Sequence, residues 1–122
     1  MGCLVEVLYD IDSFVRLAKH ATEPVLVSVA QFKLVAGVHL SLLLRAEFPV
    51  IEGDHIRIVR YERPYYVETL SEHWEELVKK TGNRDPVALA RQLYEDFLME
   101  LRQKGLRVDR GMWICRSALE ET

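Results

Sequence analysis

The most restrictive feature of the chain is a long alternation of apolar and polar residues. Val38, Leu40, Leu42, Leu44, Ala46 and Phe48 fall two apart, with His39, Ser41, Leu43, Arg45 and Glu47 between them. A strand sends successive side chains to opposite faces, so each set owns one face; a helix would scatter both. Pro49 removes a ladder donor, Glu52-Gly53-Asp54 supplies turn residues, and a second alternating run begins at His55 with Ile56 and Ile58. Positions 37–63 therefore predict a long β-hairpin. If Ile56 and Ile58 share the face of Leu44 and Ala46, even-numbered residues oppose even-numbered ones, and the loop is odd in length, positions 50–54. Phe48 then faces Ile56, Ala46 faces Ile58, and Glu47 faces Arg57, a favourable cross-strand pair of about 0.2–1 kcal/mol. Sliding by two residues would set Arg45 against Arg57. In the preferred register Leu43, Val59 and Tyr61 meet on the outer face.

Elements on either side of the hairpin follow from caps and periods. Positions 4–11 read as a first strand. Asp12 or Ser13 can cap a short helix with Phe14, Leu17, Ala18 and Ala21 at helical spacing, in preference to a strand continued through Val15. After Pro24, Val25, Val27 and Val29 alternate, and Phe32 and Leu34 alternate in the opposite parity. A bulge or tight turn near Ala30-Gln31 absorbs such a slip. Positions 65–70 suggest a last meander strand after Arg63-Pro64.

Beyond it the character becomes helical. Thr69 with Glu72, or Ser71 alone, starts a helix striped by Trp74, Leu77 and Val78. Glu75–Lys79 and Glu76–Lys80 form i,i+4 pairs on it, and Gly82 stops it. Asp85 and Pro86 open a second helix striped by Ala90, Leu93, Tyr94, Phe97, Leu98 and Leu101, which ends at Gly105. Positions 106–108 and 112–115 read as strand interrupted at Gly111, and the tail from Ser117 as frayed. The predicted fold is α+β: a mostly antiparallel sheet with a long central hairpin, covered on one face by the two C-terminal helices.

A length of 122 residues, 49% of them apolar, suits a single domain over positions 1–122 with one core and argues against disorder. Arg45 and Glu47 interrupt the longest apolar run, and Glu6 and Asp10 sit where a signal peptide would be apolar. The expected setting is cytoplasmic, with no membrane contact. Cys3 and Cys115 lack metal spacing and read as two buried free thiols. A net charge of −3 gives no overall basic field. The abundance of Arg and Glu over Asn and Gln is compatible with a thermophilic source.

No catalytic constellation emerges. His20, His39, His55 and His73 lie on different elements without HExxH or HxH spacing, so neither metal nor cofactor is expected. The glycines are isolated, and no GxSxG surrounds Ser28, Ser41 or Ser71. Arg57, Arg60, Tyr61, Arg63, Tyr65 and Tyr66 interleave cations and aromatics. Such residues can stack on bases and meet phosphates, anchor a protein interface, or simply cover a sheet.

Two family resemblances rest on short stretches. The alternating strand from Leu40, Phe48-Pro49, Gly53-Asp54 and the strand to Tyr61 resemble the central hairpin of the OB-like eighth subunit of archaeal and eukaryotic RNA polymerases. Positions 4–14 are loosely similar to that family's first strand. That family continues in strands where this chain turns helical after Ser71. Val29-Ala30-Gln31-Phe32-Lys33-Leu34 is similar to the Ser-Gln-Phe-Thr strand of D-aminoacyl-tRNA deacylases. Positions 93–108 look like those enzymes' late helix and following strand. Lys33 stands where they have Thr, and the Asn-x-x-Pro motif is missing, so no catalytic residue carries over. Neither family is adopted.

The function expected from the residues is a non-catalytic interaction module, a homodimer or a small subunit of an assembly. Its contact surface would be the outer hairpin face with Leu43, Arg57, Val59 and Tyr61. Binding of RNA or single-stranded nucleic acid through Arg57, Arg60, Tyr61, Arg63, Tyr65 and Tyr66 is the alternative. A small tRNA-directed hydrolase without nameable catalytic residues is the third possibility.

Overall fold

The computed structural model describes the backbone of residues 3–113 and the side chains of residues 8–111. Eight elements follow in order: β1 (Cys3–Leu8), α1 (Ile11–Ala18), β2 (Val25–Val35), β3 (His39–Glu52), β4 (His55–Glu68), α2 (Glu72–Thr81), α3 (Pro86–Gln103) and β5 (Val108–Trp113). The fold is α+β. The strands form one sheet in the order β1-β4-β3-β2-β5. The long inner pairings β2–β3 and β3–β4 are antiparallel, while the six-residue outer strands β1 and β5 run parallel to β4 and β2. Parallel neighbours need crossover connections. Here β1 reaches its neighbour β4 through α1, β2 and β3, and β2 reaches β5 through β3, β4, α2 and α3.

Local chemistry explains the helix limits. The Asp10 carboxylate accepts the Ser13 amide at 2.8 Å and caps α1, a few residues earlier than Asp12 or Ser13 would have placed it. Ile11 is thereby helical, and β1 ends at Leu8. The Ser71 hydroxyl accepts the Trp74 amide at 3.2 Å, and Asp85 accepts the Ala88 amide at 3.0 Å ahead of Pro86. Gly82 closes α2 in the left-handed region at φ 73°. Glu75 pairs with Arg84 in a two-bond fork at 2.8 and 2.9 Å, and Glu76 lies 3.6 Å from His73, in place of the lysine pairs expected on α2. The α3 stripe is buried as its spacing requires.

The hairpin is present, but its register differs from the one the Ile56/Ile58 pattern suggests. Only Gly53 and Asp54 connect the strands, and Glu52 pairs directly with His55. Gly53, at φ 63°, takes the first central position of this two-residue turn, with the sign of φ that a II′ turn requires there. Even-numbered residues of β3 consequently face odd-numbered residues of β4. Phe48 opposes Val59, Ala46 opposes Tyr61, and Glu47 opposes Arg60 rather than Arg57. A parity change flips every side chain of β4 to the other face. Val59 and Tyr61 therefore point into the core side, and Ile56 and Ile58 point away from it. Pro64 does not break the strand, so the expected separate strand after it is the continuation of β4.

The parity slip in β2 is a real register shift between Val29 and Gln31. Val27, Val29 and Phe32 thus all reach the core. Gly111 does not end β5, but the pairing of β5 with β2 shifts register beside it, between Arg110 and Trp113. A Cβ there would come 2.7 Å from the Val27 carbonyl oxygen, so this close approach needs glycine. The side chain of Cys3, all of Cys115 and the tail from Ser117 lie outside the described residues.

One buried cluster unites Phe14, the inward residues of β2, β3 and β4, and the apolar stripes of α2 and α3. The Phe14 ring lies 5.4 Å from Phe48 and 6.1 Å from Tyr61, and Tyr61 lies 5.9 Å from Phe97. Phe48 and Tyr61 share a face, so α1 and α3 pack on the same side. Trp74 and Leu77 of α2 join the same cluster.

Candidate functional site

Because all three helices pack on one side, the other side of the sheet carries no helix among the described residues. Its centre is a charge quartet at the middle of the hairpin. The Arg45 Nε donates to Glu62 Oε2 at 3.2 Å, and the Arg60 Nε donates to Glu47 Oε2 at 2.8 Å. Arg45 and Glu47 are two apart on β3, and Arg60 and Glu62 two apart on β4, so the signs alternate both along and across the strands. These side chains are only 14–28% exposed, which makes the pairs less screened than free surface charges.

Apolar residues flank the quartet. Toward the turn, Ile51 opposes Ile56 and Pro49 opposes Ile58, and Ile51 is 76% exposed. Away from the turn, Leu43 opposes Pro64, and Tyr66 stands 76% exposed opposite Ser41. Leu26 of β2 and Leu8 of β1 add exposed apolar surface in the row of Glu47 and Arg60. Two shallow depressions mark this face. One of about 580 Å³ lies by Leu26, Ser28, Arg45 and Gly111, and one of about 320 Å³ by Lys33, His39, Ser41 and Tyr66. The first exists partly because Gly111 has no side chain.

The residues expected at a partner interface are divided by the sheet. Leu43 is on the open face, half-buried. Val59 is wholly buried on the covered face, and Tyr61 is half-buried between Phe14 and Phe97. Arg57 is on the covered side near the turn, donating to the Tyr9 hydroxyl at 3.0 Å and lying 3.1 Å from Glu52. The outer-face placement of Arg57, Val59 and Tyr61 is thus corrected by the two-residue turn. Residues missed in their place, Glu62, Ile51 and Pro49 among them, become visible once the Glu52–His55 pairing is counted outward.

The Arg/Tyr segment is split in the same way. Arg60 and Tyr66 face outward, whereas Tyr61, Arg63 and Tyr65 face the helices. Arg63 donates to Glu100 of α3 at 2.7 Å, with its guanidinium carbon 5.0 Å from the centre of the Phe97 ring. The Arg63 hydrogen bond holds the Glu100 carboxyl below its ordinary value, and burial pushes the Tyr65 hydroxyl up. Arg57, Arg60 and Arg63 each sit beside a carboxylate.

Chemistry on other surfaces is sparse. His39, His55 and His73 are exposed, each near one carboxylate, and no group of three or more metal-ligating side chains occurs among the described residues. A depression of about 380 Å³ at the end of α1 is lined by Leu17, His20, Phe48 and Arg57, whose Nε is buried without a hydrogen-bond partner. No helix among the described residues is long and apolar enough to cross a membrane. Comparison with protein-family models, with curated proteins and with solved structures finds no match.

Proposed function

We propose that the chain is a non-catalytic interaction module that binds a protein partner through the open face of its sheet. The observation that carries this reading is the one-sided covering: three helices on one face, and on the other a broad surface with exposed Leu8, Leu26, Ile51, Ile56 and Tyr66. Several large apolar side chains exposed around a central charge cluster on one uncovered sheet face are the kind of surface that marks contact sites. Aromatic and aliphatic residues around paired charges match the make-up of protein interfaces. Nucleic-acid binding has less support, because a phosphate would have to compete with Glu47 for Arg60, and Arg63 is engaged under α3.

The test is site-specific photo-crosslinking. A photoreactive benzoylphenylalanine replaces Tyr66 on the open face or, as control, Met99, which is 57% exposed on α3. Protein adducts from position 66, absent from position 99 and lost with Ile58→Lys, support the reading. Adducts from neither position, or equally from both, overturn it.

A further inference from the structure

Resting on that reading, we infer that the partner is a second copy of this chain, stacked face to face about a two-fold axis running along the hairpin between β3 and β4. A two-fold axis in the plane of a face turns each residue over the residue that mirrors it across the axis. Along this hairpin the mirror partners are the ladder partners. Arg45 lies over Glu62 of the second copy, and Glu47 over its Arg60, so each charge gains a second opposite charge. Ile51 lies over Ile56, Pro49 over Ile58 and Leu43 over Pro64, so apolar surface meets apolar surface.

The position of the quartet agrees with this arrangement. β3 runs from His39 to Glu52 and β4 from His55 to Glu68, so the quartet sits at the midpoint of both strands. Face-packed sheets cross at about 30° and sit about 10 Å apart, so register is best kept at the centre of the overlap, where the charges are. Under this axis β3 lies over β4, β1 and β2 meet only at the Leu8 and Leu26 row, and β5 overhangs. With about 4.8 Å between strands and about 3.3 Å per residue, the two long strands give roughly 450 Å² of flat face per copy, which sets the dimer among weak, reversible ones. The quartet carries no net charge, so a partner of single sign gains little from it, whereas a copy of the same quartet is complementary to it.

The experiment is sedimentation velocity on the whole chain over a concentration series. The unaltered chain should dimerise. Arg45→Glu, which sets a new carboxylate over Glu62 in the second copy, should weaken the dimer about tenfold or more. The double variant R45E/E62R restores an opposite pair across this axis and should return the dimer to within about threefold of the original. An axis across the strands would instead set the new carboxylate over Glu47, and the double variant would stay weak. Ile56→Lys, at an exposed position near the turn, should weaken the dimer without disturbing the core. A monomer at every concentration overturns the inference, as does a double variant no better than Arg45→Glu. The crosslinking above keeps the two ideas apart. A monomer whose position 66 captures a different protein leaves the interaction module standing without its second copy, and a monomer with no adduct removes both.

Discussion

Arg63 of β4 and Glu100 of α3 form a 2.7 Å ion pair on the covered side of the sheet, beside the ring of Phe97. The contact ties the second half of the hairpin to the longest helix. Arg63→Ala should destabilise the fold by about 1–2 kcal/mol, measured by urea denaturation, since it removes a charge-assisted fork and an aromatic contact. Arg63→Lys should recover only part of this, because an ammonium cannot reproduce the planar fork.

The same pair sets a pH dependence. Arg63 holds Glu100 below its ordinary value of 4.5, so the unfolded chain takes up the proton first as acid is added. The stabilisation is complete above that value and is lost as pH falls through the lower, folded one. Stability of the unaltered chain should therefore decline on acidification below the ordinary value more steeply than that of Glu100→Gln. Parallel curves for the two would show that the pair contributes nothing to acid sensitivity.

The Val27 carbonyl is a meeting point. It accepts the Tyr94 hydroxyl at 2.8 Å, and it is the atom a side chain at position 111 would strike. Gly111→Ala should cost about 1–3 kcal/mol and speed amide exchange in β2 and β5 while leaving α2 unaffected. Tyr94→Phe should cost about 1–2 kcal/mol, for loss of a buried hydrogen bond.

Phe14 is fully buried against Phe48 and Tyr61 and is the main anchor of α1. Phe14→Ala should cost about 3–5 kcal/mol. A loss below about 1 kcal/mol would mean that the site collapses around the deletion.

Ala36, in the turn between β2 and β3, has φ 53°, a conformation that disfavours a Cβ. Ala36→Asn should raise stability by about 0.5–1 kcal/mol in a thermal melt.

How much of this fold could be read from sequence depended on where its information lay. Helix limits are local: Ser71, Asp85-Pro86 and Gly82 each act within a turn, and the α3 stripe repeats often enough to be unambiguous. The bulge in β2 announced itself as a change of parity. Strand register is not local in this sense. The inward residues of β4 are Arg57, Val59, Tyr61, Arg63, Tyr65 and Val67, and the charged Arg57 and Arg63 among them hide the stripe. Ile56 and Ile58 look more core-like than the true inward set, yet they belong to the open face. The parity of the loop, two residues instead of the five expected, decided which face held Tyr61 and therefore which residues formed the candidate surface. The parallel outer strands were equally hidden, since β1 meets β4 and β5 meets β2 only through pairings distant in sequence.

Those distant pairings bear on how the chain comes off the ribosome. Cys3 pairs with His55, 52 positions later, and Val25 with Val108, 83 positions later. β1 must wait for the far arm of the hairpin, and β2 keeps a bare edge until nearly the last described residue has emerged. Nascent chains of this topology are vulnerable over that interval, when neighbouring polypeptides on a crowded polysome can dock on the unprotected edge. Non-local pairing of this kind also makes for slow maturation relative to helical proteins of equal size.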